Sequence, residues 1–178
     1  MPEQFLHGVE VIQVDDGIRP ISIVKSSVIG IVGTAPDAVA ADFPLNTPIL
    51  IEGPRKAADL GDTGTLKDAY EAIYAQGASV AVTIRVEEDA DAATTLANIV
   101  GDATQGSGLW GLMNAQSVLD LTPRILCAPG FTSTTPGDPA SPVITNLISV
   151  AERIRAVVIA DGPNTNETDA RSERGNWG

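Results

Sequence analysis

Short runs of apolar, largely β-branched residues recur along this chain with helical-period stretches between the later ones, and that alternation narrows the possible folds more than any other feature. The runs are Val28–Val32, Ile49–Ile51, Val80–Val86, Arg124–Cys127 and Val157–Ile159. From Thr65 to Gly77 the residues Leu66, Ala69, Tyr70, Ile73 and Tyr74 share one helical face, with Thr65 placed to cap the start and Gly77 to close the end. A second helix starts at Asp89 or Asp91 and turns Leu96, Ile99 and Val100 inward, stopping near Gly101. Leu109–Leu119 reads as helical but broken, with Leu109, Leu112, Met113 and Leu119 apolar. Ser141-Pro142 sets a capping residue and a first-turn proline before a helix whose inward face is Ile144, Leu147, Ile148, Ala151 and Ile154. Strand and helix in alternation imply an α/β fold: a largely parallel sheet with helices on both faces. Strands covered on both faces are near-continuous apolar runs, which is how Val80–Val86 and Val157–Ile159 read.

The connections read as turns. Asp37 to Pro48 holds Pro44 and Pro48 and is an irregular excursion, Arg55–Leu60 makes a short helical turn, and Gly101–Gly108 and Phe131–Pro139 are loops. Asn164–Gly178 is polar with no apolar period. Ile21–Val24 and Val28–Val32 form two short strands or one bulged strand.

Ahead of this domain lies an extended arm. Val9, Val11 and Gln13 alternate with Glu10, Ile12 and Val14, so neither face is cleanly polar, and Asp15-Asp16-Gly17 makes a turn before Pro20. Two pairings fit. The arm folds back on Ile18–Val24 as a hairpin across the Asp-Gly turn, or it adds to a sheet edge of another molecule through main-chain hydrogen bonds. The organisation is thus an arm over 1–19, an α/β domain over 20–163 and a polar tail over 164–178.

Composition excludes several function classes. A formal net charge of −12 opposes binding to a nucleic-acid backbone, which needs clustered Lys and Arg. One cysteine, Cys127, excludes an internal disulfide framework and any multi-cysteine metal site. No apolar run is long enough for a membrane span, and the N-terminus lacks the pattern of a secretory signal.

Candidate chemistry is sparse. The one histidine, His7, lies in the arm, so a Ser-His-Asp arrangement would need that arm to fold over a strand end. Cys127 ends a strand before Pro129-Gly130, where nucleophiles can sit, yet a lone cysteine usually serves as a small buried hydrophobe. Gly30-Ile-Val-Gly33 lacks both the third glycine of a dinucleotide fingerprint and the Gly-Lys-Ser/Thr of a P-loop, and a tight turn explains these glycines better. Asp15, Asp16, Asp161 and the run Glu87-Glu88-Asp89 lack calcium-loop spacing. No catalytic, cofactor or metal residue is assigned. An enzyme or ligand binder would instead place a pocket at the strand ends near Pro36, Pro129 and Asp161, with an ionisable group strongly perturbed.

Longer strings carry a resemblance. FLHGVEVIQVDDGIRPISIVKSSVIGIVGTAPDA from Phe5, FPLNTPILI at Phe43–Ile51, TPRILCAPGF at Thr122–Phe131 and AERIRAVVIADGPNT at Ala151–Thr165 resemble, in the same order, phage contractile-tail sheath proteins. The sequence is similar to the sheaths of myovirus tails and of R-type pyocins. That resemblance implies a non-catalytic α/β domain, subtilisin-like in fold, in a structural subunit without a cofactor. It implies hexameric rings of copies stacked helically around a tail tube protein, with baseplate and tail terminator proteins as further partners. Neither nucleic acid nor membrane is a partner on this reading. It places the protein in the virion tail, and in the host cytoplasm during assembly. Contraction would drive the tube through the target envelope while the arm, Val9, Glu10, Val11, Ile12, Gln13 and Val14, links subunits and Asp15, Asp16, Gly17 and Pro20 act as its hinge. Sheath proteins normally continue past the position of Gly178 into a tube-contacting domain, so this chain is expected to be a fragment of a longer subunit.

Overall fold

The computed structural model describes residues 27–77, 79–133 and 141–176. Its centre is a sheet in the order β2-β3-β1-β4-β5. The strands are β1 (Ile29–Thr34), β2 (Pro48–Ile51), β3 (Ala81–Val86), β4 (Ile125–Cys127) and β5 (Val157–Val158). β1 runs parallel to β3 and β4, and β4 parallel to β5, while β2 is antiparallel to β3. The helices are α1 (Pro54–Ala58), α2 (Thr65–Gln76), α3 (Ala92–Val100), α4 (Ala115–Leu119), α5 (Pro142–Ile154) and α6 (Glu167–Gly175), and a 3-10 stretch spans Gly108–Asn114. The broken helix expected over Leu109–Leu119 is this 3-10 stretch running into α4.

Alternate residues of a strand face opposite sides, and the sheet is buried on both. Val32, Val82, Ile84, Val86 and Leu126 pack with Ile99 of α3, Leu109 and Leu112 of the 3-10 stretch, and Val143, Leu147 and Val150 of α5. On the other face Ile31 and Ala81 pack with Phe43, Leu60, Ala57 of α1, and Leu66 and Tyr70 of α2. All six residues of β3 are buried, as a central strand with two covered faces demands.

Several local readings need correction. Gly30 and Gly33 are not turn residues; both lie within β1. A Cβ on Gly30 would meet Leu126 Cδ2 at 2.8 Å and Pro123 Cβ at 2.9 Å, and one on Gly33 would meet Thr65 Oγ1 at 2.6 Å. The glycines are there because a strand, a loop and a helix approach the backbone closely. Thr65 does not cap α2; Gly64 occupies the cap position, and Thr65 is the first helical residue. The Thr65 hydroxyl instead accepts from Thr34 N at 3.2 Å, and Thr65 N donates to Thr34 Oγ1 at 3.3 Å. That reciprocal pair bolts the start of α2 onto the end of β1.

Of the two candidate caps for α3, Asp91 is used, accepting from Thr94 N at 3.2 Å. Ser141 precedes α5 without a side-chain capping bond, although Pro142 does occupy the first turn. The buried stripe of α5 includes Val143 and Val150, and Ile148 is only half-buried. The helix is rotated from the expected face because it packs on the 3-10 stretch and α3 as well as on the sheet.

Val157–Ile159 is not a buried strand. β5 is a two-residue edge, with Val157 66% and Ile159 57% exposed. The polar tail is not featureless either, since α6 forms there. Asn166 caps it by accepting from Asp169 N at 3.0 Å, and Arg171 pairs with Glu167 at 2.6 Å one turn apart. These are side-chain signals, which a search for apolar periodicity passes over.

Candidate functional site

In the parallel part of the sheet, β3-β1-β4-β5, the chain leaves β1 for β3 on one side and later returns to β4 on the other. Ligands of open α/β sheets sit where the connections diverge in this way, beyond the carboxyl ends of the strands. A groove of about 610 Å³ lies there, lined by Thr34, Gly64, Thr65, Glu88, Thr95 and Phe131 among others. None of Pro36, Pro129 and Asp161 is among its described lining residues. Pro36 lies against Gly64, within 2.9 Å of where a Cβ there would fall. Asp161 brackets the ends of β4 and β5: its Oδ2 accepts from Thr132 Oγ1 at 3.1 Å, and its N donates back to that oxygen at 2.9 Å.

The Cys127 thiol at this end is not activated. Burial pushes the Cys127 thiol up to about 11, and the Asp161 carboxylate adds to the effect. An activated thiol needs the opposite displacement, toward the thiolate at neutral pH. Cys127 behaves as a half-buried hydrophobe packed against the core cluster that holds Leu66 and Tyr70 of α2. The α2 terminus spends its first N–H on Thr34. The ionisable residues of the groove, Glu88 and Asp89, are exposed acids. Among the described residues, no group of His, Cys, Asp and Glu could hold a metal ion, and no helix is long and apolar enough to cross a membrane. His7 and the arm and hinge positions, Val9 to Val14, Asp15, Asp16, Gly17 and Pro20, lie outside the described residues.

What the fold does build is a clamp and two contrasting edges. Arg85 of β3 is 8% exposed. Its Nε donates to Phe43 O at 2.7 Å and its Nη1 to Ala35 O at 3.1 Å. Its own carbonyl accepts from Asn46 N at 2.8 Å, and Asn46 Oδ1 accepts from Gly108 N at 2.9 Å. Arg85 thereby ties the excursion from Asp37 to Pro48 onto the sheet, and Asn46 ties it to the 3-10 stretch. The hint in the sequence is a lone charged residue in a mostly apolar strand.

The β2 edge begins with a proline, which blunts further pairing. At the other end of the sheet, no described strand pairs with β5 on its outer side. Ile29, Ile125 and Val157 stand side by side in register across β1, β4 and β5, on the face that α2 covers at the centre of the sheet but leaves open at Val157. At the foot of that edge Arg124 donates through Nη1 to Ile154 O, and to Arg155 O at 3.3 Å, while Arg153 stacks over Trp110 at 5.0 Å.

Comparison with known proteins places the domain in a family. Residues 26–86 match the family model for the N-terminal region of domain III of the tail sheath protein Gp18. The tail sheath protein of Escherichia phage P2 is 37% identical over 160 residues, 84% of this chain and 39% of its own length. A putative prophage major tail sheath protein of Pseudomonas aeruginosa (strain UCBPP-PA14) is 34% identical over 178 residues, 98% of this chain and 45% of its own. The major tail sheath protein of Serratia phage KSP20 is 32% identical over 163 residues, 88% of this chain and 40% of its own. The chain therefore spans less than half the length of these relatives. Every string that carried the resemblance falls within the stretch aligned along 98% of the chain, and the α/β domain built from it belongs to the phage tail sheath family.

Proposed function

We propose that this chain is part of a contractile sheath subunit, which polymerises with other copies around a tail tube and contracts to drive that tube through a target envelope. The observation that carries the reading is the 34% identity to a tail sheath protein along 98% of the chain. The relatives are tail sheath proteins by name, which supports a structural role. In this reading residues 1–19 are an arm whose strand, Val9 to Val14, adds to a sheet of a neighbouring subunit. Asp15, Asp16, Gly17 and Pro20 form the hinge that lets subunits turn while the link holds. Residues 20–163 form the rigid body, related to the subtilisin-like domains of sheaths, and 164–178 lead away from it. The location is the virion tail, with assembly in the host cytoplasm, and the tail tube, baseplate and terminator proteins are the partners.

The test is deletion of residues 1–16 in the full-length subunit, followed by circular dichroism and negative-stain microscopy. A linking arm predicts an unchanged far-ultraviolet spectrum and loss of the long hollow tubes that the intact subunit forms. Tubes of normal length from the deletion variant would refute the arm's role. Dispersed particles from the intact subunit would refute the sheath function itself.

A further inference from the structure

We draw no further inference here: the strongest candidate, the groove of about 350 Å³ between α1 and α2 where the Tyr74 hydroxyl has no hydrogen-bond partner among the described residues, belongs to a chain that spans less than half the length of its relatives, and nothing in the structure shows what covers it.

Discussion

Arg85→Met tests whether the buried guanidinium is the fastener of the long excursion between β1 and β2. Methionine keeps most of the apolar stem and removes the donors. Two hydrogen bonds are lost, from Nε to Phe43 O at 2.7 Å and from Nη1 to Ala35 O at 3.1 Å. Bonds from a charged donor contribute about 1.5–3 kcal/mol each, so the gross loss is about 3–6 kcal/mol. Removing a buried cation offsets part of this, since the guanidinium no longer has to be held out of water. Phe43 and Ala35 are themselves fully buried, which leaves their carbonyls poorly placed to find water. The net destabilisation expected is about 2–4 kcal/mol, or roughly 5–15 °C in Tm for a chain of this size. Urea unfolding followed by circular dichroism measures it, with an unchanged m-value showing that the same surface is exposed. Arg85→Lys should fall between, because a point donor reaches one carbonyl where the planar fork reaches two. Hydrogen exchange should show residues 37–47 opening before the sheet does. A Met variant within about 0.5 kcal/mol of the parent, or a Lys variant equal to it, would refute the clamp.

Other perturbations read other parts of the structure. Gly30→Ala sets a methyl 2.8 Å from Leu126 Cδ2 and 2.9 Å from Pro123 Cβ, and should lower stability by about 1–3 kcal/mol in urea titration; a neutral result would mean that this strand–loop contact is loose. Tyr70→Phe breaks the buried pair between the Tyr70 and Thr83 hydroxyls and should cost about 1–2 kcal/mol, with Thr83→Val in the same background nearly free, since both partners are then apolar. Folded Cys127 has its pKa raised from about 9 to about 11, so the unfolded chain loses that proton first. Its stabilising contribution is complete below pH about 9 and is lost as pH rises toward 11. Burial raises the Tyr70 phenol as well, and its contribution erodes from about pH 10 upward. Urea midpoints between pH 7 and 11 should therefore fall above about pH 9, with Cys127→Ala flattening the first part of the fall; superposable profiles would exclude the thiol as the cause.

The sequence by itself determined most of the described strands and helices, though not α6, because residue periodicity and turn residues act over a few positions. Thr65 to Gly77, Val80–Val86 and Val28–Val32 were legible in this way, and the ordered strings that resemble sheath proteins carried the family. It could not decide which strand lies beside which, since pairing joins residues far apart in the chain. The order β2-β3-β1-β4-β5, and the reversal of β2 against β3, emerge only when both helical layers are in place. The same apolar pattern suits a central strand and an edge, so Val157 and Ile159 were indistinguishable in sequence from the buried Val82 and Ile84. Gly30 and Gly33 looked like a turn because a glycine records only that space is short, while the neighbour that takes the space is tens of residues away. Arg85 gained its meaning the same way: a charge is local, but what stands opposite it is set by the tertiary fold.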